Sequence, residues 1–193
     1  MKKMILIVMF ATVLLGSTTS DKGTWVIDSG SRLAIAGSTN INKFTCKFDY
    51  YYGSDTLQYL RNSRTGKLSF SNNKMTIPVR SFDCGAKQIS NDFRKTLKSD
   101  TYPQLTIAFR SLENPFNQND CFIDGVVDIT LAGVTTTYTI RYLVNLNNNS
   151  ILLKGTRTVN FSDFGLEAPT KLQGLIKVDE VLNVEFNLVL KEV

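Results

Sequence analysis

Cys121-Phe122-Ile123-Asp124-Gly125-Val126-Val127-Asp128-Ile129-Thr130-Leu131 and Thr135-Thr136-Thr137-Tyr138-Thr139-Ile140-Arg141-Tyr142-Leu143-Val144-Asn145-Leu146 are two runs in which apolar residues recur at every second position. Ile123, Val127, Ile129 and Leu131 share one face of the first, and Tyr138, Ile140, Tyr142, Val144 and Leu146 share one face of the second. A strand projects successive side chains to opposite faces, so this period describes strands with one buried side. Ala132-Gly133 falls between them as a turn signal.

The same pattern recurs outward in both directions. Trp25 to Asp28, Arg32 to Thr39, Phe44 to Tyr52, Gly66 to Phe70, Lys74 to Asp83 and Gln104 to Leu112 precede it. Ser150 to Phe161 and Val181 to Val193 follow, the last with Leu182, Val184, Phe186, Leu188 and Leu190 on one face. Asn72-Asn73 and Asn147-Asn148-Asn149 mark further turns. One segment departs from the pattern. Between residues 90 and 98, Phe93 and Leu97 stand four apart, Ser90, Asn91 or Asp92 can cap an N-terminus, and Pro103 lies beyond the end. This predicts a short helix of about two turns. Many antiparallel strands with one helix fit either a closed barrel or a sandwich.

The first twenty of the 193 residues read as a targeting segment expected to be cleaved: Lys2 and Lys3, an apolar run from Met4 to Leu15, then Gly16 to Ser20. The run is short for a bilayer span, which needs about 20 residues; a retained anchor is the alternative. The cut is expected near Ser20, placing the protein in the periplasm or outside the cell, with no integral membrane span in the mature chain. Residues 21–193 then form one domain. Losing Lys2 and Lys3 takes the net charge from +5 to +3, and the basic residues are dispersed, so no nucleic-acid partner is expected.

The chain has no histidine, which removes the usual general base and the commonest zinc ligand. Neither a close carboxylate pair nor a phosphate-binding glycine loop appears, so no catalytic residue, metal site or cofactor is assigned. Three cysteines allow three pairings. Cys46 and Cys84, each on or beside a strand, are the favoured pair in an oxidising compartment; three unbridged, small core residues are the alternative.

Three stretches together resemble the YceI-like family of lipid- and polyisoprenoid-binding bacterial envelope proteins. Trp25-Val26-Ile27-Asp28-Ser29-Gly30-Ser31, running through Leu33 to Asn40, is similar to its opening strand. Phe82-Asp83-Cys84-Gly85, then Leu97-Lys98 and Tyr102-Pro103-Gln104-Leu105-Thr106-Ile107, resembles its helix and following strand. Asp163-Phe164-Gly165-Leu166, with Gly174, Lys177 and Asp179-Glu180-Val181, is similar to its late loop and last strand. Gly125 to Gly133 and the threonines after it match a family hairpin, and Cys46 and Cys84 resemble cysteines paired in some members. Ile89 and Ser90 replace a frequent methionine of the helix region, and Gly30 replaces a frequent histidine.

The resemblance implies an all-β, extended antiparallel lipocalin-like barrel of about eight strands, wrapped around a small hydrophobic or amphiphilic lipid such as an isoprenoid quinone or a polyprenyl chain. The expected apolar lining is Leu33, Ile35, Phe44, Phe48, Ile107, Phe109, Val184, Phe186 and Leu188, with Phe93 and Leu97 over one end. Tyr102, Tyr138 and Tyr142 can offer hydroxyls to a ring carbonyl or alcohol. Each of these residues is equally readable as packed core. Trp25, Asp28 and the 163–165 loop read as barrel-closing structure. An envelope carrier or store is the function expected; a ligand-free structural or interaction module, an enzyme using Tyr, Asp or Lys, and a homodimer are the other readings kept. The carrier reading requires inward side chains that leave an oily hollow.

Overall fold

Alternation builds the central hairpin as the sequence predicts. The computed structural model, which describes residues 20–71, 73–116, 121–147 and 149–193, pairs Cys121–Leu131 with Val134–Asn147 in antiparallel register. Ala132 and Gly133 close it with φ of 49° and 82°. Positive φ at both turn positions matches the right-handed twist of the flanking strands. The expected targeting segment lies outside the described residues apart from Ser20, and so do Asn72 and Asn148 of the expected turns.

In chain order the strands are β1 (Ser20–Ile27), β2 (Arg32–Ser38), β3 (Lys43–Phe48), β4 (Thr56–Asn62), β5 (Leu68–Phe70), β6 (Lys74–Pro78), β7 (Gln104–Leu112), β8 (Cys121–Leu131), β9 (Val134–Asn147), β10 (Ser150–Asn160), β11 (Thr170–Lys171), β12 (Ile176–Lys177) and β13 (Val181–Glu192). Helix α1 covers Lys87–Thr96. Eight strands close a ring in the order β1-β4-β5-β7-β8-β9-β10-β13 and back to β1. The fold is therefore the all-β barrel with one short helix.

Five long strands, β7 to β10 and β13, run along one side. The other side is split lengthwise, because β7 and β13 each change partner part-way. β13 pairs with β2 over Asn183–Asn187 and with β1 from Leu190 onward. β7 pairs with β6 over Gln104–Ala108 and with β5 at Ser111 and Leu112. A β-bulge between Phe109 and Ser111 bends β7 at its change of partner. Arg110 sits in that bulge and donates from Nε to Asp128 Oδ2 (2.6 Å), which fixes the register on the outer face.

The bend between β1 and β2 shows why the sequence reads Ile27-Asp28-Ser29-Gly30-Ser31. The Asp28 N–H donates to the Val189 carbonyl (2.8 Å) and the Ser31 N–H to the Asp28 carbonyl (2.9 Å). Ser31 is fully buried, and its Oγ accepts the Val189 N–H (3.0 Å), supplying a ladder bond that the bent strand cannot. Asp28 is tied to Gly30 N–H (3.0 Å) and Lys191 Nζ (2.7 Å), and the Lys191 hydrogen bond holds its carboxyl below the ordinary aspartate value. These residues are barrel-closing structure.

At the opposite edge the ring would gape between β3 and β6. Among the described residues a single bridge crosses it: Lys47 N–H to Asp83 carbonyl (2.7 Å) and Asp83 N–H to Lys47 carbonyl (2.9 Å). The Cys46–Cys84 disulfide fastens this seam, and Phe48 packs on Phe82 beside it at 5.9 Å. Cys121 is exposed at the start of β8.

Three expectations need correction. The helix begins at Lys87 after Ala86, which makes no side-chain capping bond, so Ser90, Asn91 and Asp92 lie inside it rather than at its cap. Ser90 Oγ accepts the Cys84 N–H (3.1 Å), Asn91 Oδ1 accepts from Arg94 (3.4 Å) and Asp92 accepts Lys171 Nζ (2.7 Å). The expected run from Lys74 to Asp83 stops at Pro78 and continues as a 3-10 turn, Val79–Ser81. Proline carries no N–H with which to extend a ladder. Strand β4 is absent from the expected series: Leu57 and Tyr59 face inward and are buried, but the exposed Leu60 breaks the alternation.

Two stability measurements follow. Cys46→Ala with Cys84→Ala reopens a loop spanning 38 positions, and the chain-entropy account puts the loss at about 4 kcal/mol, a fall in Tm of roughly 10 °C. Ser31→Ala leaves the Val189 N–H without its acceptor and lowers stability by about 1–3 kcal/mol, readable by urea unfolding. A Ser31→Ala protein as stable as the parent would contradict the bend's dependence on that hydroxyl.

Candidate functional site

The inner face of the ring is mostly apolar. Along β13 it carries Leu182, Val184, Phe186, Leu188 and Leu190, all buried. At about 3.3 Å per residue, Leu182 and Leu190 lie roughly 26 Å apart along the strand. One end is stoppered by aromatic rings: Trp25 stands 4.7 Å from Tyr59, 6.1 Å from Phe70 and 6.0 Å from Phe116. The other end opens.

Little free space lies between. A void of about 40 Å³, walled by Leu33, Ile35, Leu97, Ile107, Val184 and Phe186 among others, occupies the half nearer the opening. A second void of about 10 Å³ adjoins Tyr142, Phe109, Val127 and Leu190 in the closed half. Both are near the size of one water, so neither holds a lipid tail as it stands. The oily hollow expected along the axis is not formed among the described residues, which corrects the expectation of a ready-made internal tunnel: the apolar space large enough for part of a ligand lies at the mouth. Eight strands give an interior that side chains can fill or that can hold one small ligand; here Phe186, Phe161, Phe164 and Leu97 crowd around the inner void.

A large and mostly apolar space lies at the mouth, whereas the clefts outside the closed end, by Tyr59 and by Phe116, are about half polar. A pocket of about 520 Å³, within the range of small-molecule sites, lies between the β2–β3 turn, one face of α1 and the segment 169–178. Phe44, Ile89, Phe93, Leu172, Ile176 and Val178 make its walls apolar, and Phe161 and Leu182 form a floor shared with the inner void. Thr39, Asn42, Gln88 and Thr96 add polar groups, and Asp92 and Lys171 add an ion pair to the same wall.

Each wall is tied to the next. Thr39 bridges to Val178, Asn40 Nδ2 donates to the Leu175 carbonyl (2.9 Å), and Lys177 N–H donates to Asn40 Oδ1 (3.0 Å). Lys171 Nζ reaches Asp92 Oδ1 at 2.7 Å, clasping the β11–β12 hairpin to the helix. Ile41, Leu172 and Leu175 project from the rim and are exposed.

Of the sequence-predicted lining, Leu33, Ile35, Leu97, Ile107, Val184 and Phe186 surround the inner void, and Phe44 and Phe93 wall the mouth. Phe109 and Tyr142 adjoin the deep void. Phe48 and Leu188 are buried, Phe48 against the disulfide seam. Tyr102 is exposed, its ring against Gly133 at the β8–β9 turn, away from any pocket. Tyr138 is already engaged: its hydroxyl donates to Asp163 Oδ2 (2.8 Å), and burial with this bond raises its pKa.

Asp163 also accepts the Asn160 N–H (2.8 Å), and its carboxyl is held below the usual value chiefly by that bond. Phe164 is buried against Tyr138 at 6.2 Å. The 163–165 loop thus plugs the place where β9 and β10 part company beyond Thr156, and is structural. Sequence reading missed Ile41, Ile89, Leu172, Ile176 and Val178, which come from turns, a helix flank and the two-residue strand β12 with its neighbour, segments too short to show a strand period. Among the described residues no group of three or more His, Cys, Asp or Glu could hold a metal ion, and no helix is long and apolar enough to cross a membrane.

Comparison with solved structures finds the same architecture. A polyisoprenoid-binding domain from Saccharophagus degradans, implicated in plant cell wall breakdown, superposes with a TM-score of 0.63 at 17% identity, over 88% of this chain and 98% of that one. Burkholderia cenocepacia BcnA gives 0.59 at 20% identity, over 84% and 98%. A YceI protein from Campylobacter jejuni gives 0.54 at 16% identity, over 71% and 80%. No curated protein matches the sequence. The family model described as the YceI-like domain matches residues 25–190, from the tryptophan of the closed end to the last leucine of β13, and the chain belongs to the YceI-like family.

Proposed function

We propose that this protein binds an isoprenoid or another long-chain amphiphilic lipid, as a carrier or store in the cell envelope, and catalyses no reaction. The observation that carries this reading is the largely apolar mouth pocket of about 520 Å³, which shares the floor residues Phe161 and Leu182 with an apolar inner void. Burying a hydrocarbon chain is favourable by about 25 cal/mol per Å², so a dry apolar path is sufficient for recognition. The likeness to a polyisoprenoid-binding domain supports the same ligand class.

The lipid chain would fill the mouth and part the Leu, Ile and Val side chains around the inner void. An isoprenoid quinone or a polyprenyl lipid has the required length and thinness. An N-terminal targeting segment and a disulfide suit the periplasm or the exterior.

A second reading is favoured by the filled interior: a rigid envelope module that takes no ligand. Organic extraction and native mass spectrometry of protein purified from its own host separate the two. Recovery of a stoichiometric lipid is expected; protein that yields none, and takes up none from detergent dispersion, removes the carrier reading. Ile89→Asp puts a charge on the mouth wall without touching the ring. It is expected to weaken lipid uptake by about tenfold or more with little change in Tm. Unchanged uptake by that variant would place the site elsewhere.

A further inference from the structure

Inside the closed half lies a polar group with nothing to bond. Tyr142 Oη is fully buried and has no hydrogen-bond partner among the described residues. Its ring lies across the inner face between two glycines. A Cβ at Gly125 would come within 2.8 Å of Tyr142 Cε2, and one at Gly155 within 2.7 Å of Cδ1. The two glycines hold the ring flat and fix where the hydroxyl stands.

Phenylalanine would fill the same space without burying a hydroxyl, and an unmade hydrogen bond in an apolar interior is costly. Nor does water supply the partner readily. Buried waters make two to four hydrogen bonds, and the adjoining void of about 10 Å³ is walled by Leu57, Phe70, Phe109, Leu153 and Leu190, with Ser111 the other polar side chain.

Depth follows from register. Tyr142 pairs with Gly155, and Gly155 pairs with Phe186. Phe186 lies four residues along β13 from Leu182 in the pocket floor, or about 13 Å at 3.3 Å per residue. The mouth has Phe44, Ile89, Phe93, Leu172, Ile176 and Val178 on its walls, enough apolar surface for a hydrocarbon chain, and its charged groups Asp92 and Lys171 are paired with each other.

Resting on the lipid-binding reading, we infer that the ligand enters head first: an amphiphile with a carbonyl or hydroxyl oxygen on a flat, uncharged head, hydrogen-bonded by Tyr142 Oη at mid-barrel, its apolar tail lying back toward the mouth. An uncharged head is required because no cation lines the deep void.

The test uses the full mature protein, parent and Tyr142→Phe, with two ligands compared by equilibrium dialysis from detergent: decylubiquinone, which carries ring carbonyls, and squalene, an isoprenoid hydrocarbon with no polar atom. The parent is expected to bind both. Tyr142→Phe is expected to bind decylubiquinone about tenfold more weakly, to bind squalene unchanged, and to melt at the same or a higher temperature without ligand. Equal quinone binding by parent and variant would overturn the inference, and so would a loss shared equally by both ligands, which means altered packing. A parent that binds squalene but not the quinone overturns this inference alone. One that binds neither removes the lipid-binding reading as well.

Discussion

Everything in this molecule depends on β13 hydrogen-bonding to three strands. It lies along β10 throughout and along first β2 and then β1 on its other side, so one strand closes the ring at both ends. The change of partner at Val189 is possible because Ser31 Oγ takes the N–H that the bend between β1 and β2 would orphan. A closed ring exposes no sheet edge, and the part where the ladder thins to one bridge is where the disulfide sits.

Ring size then sets the interior. Eight strands bring facing side chains into contact along the axis, leaving voids of about 40 and 10 Å³ and concentrating open apolar space at the mouth. A ligand must therefore displace side chains rather than drop into a ready tunnel. Dense interiors resist such displacement, and at the splayed end β9 and β10 no longer pair beyond Thr156, a 3-10 turn filling the gap between them.

How much of this was legible in the sequence depends on the element. Strict alternation in β8, β9 and β13 names both the strands and their inner faces, and the Trp25 to Ser31 stretch names the closure. The mouth was not legible in this way. Its walls come from a turn at 39–42, a helix flank and the 169–178 segment, where Leu172, Gln173 and Gly174 turn with positive φ, and only the folded chain brings them together. Whether the interior is hollow was not legible either, since alternation says which way Phe186 points and nothing about what it meets. The thiol pair was favoured as strand-adjacent residues and by family likeness; its role as the fastener of a thin seam emerges only from the pairing of Lys47 with Asp83.

The central claim is that the inner axis yields to a lipid chain entering from the mouth. A crystal structure of the protein loaded with decylubiquinone addresses it most directly. The account expects continuous density running from the pocket beside Phe93 past Leu182 and Val184 toward Phe186, with those side chains turned aside. Density confined to the outer surface, with Phe186, Phe161 and Leu97 still meeting on the axis, would contradict it.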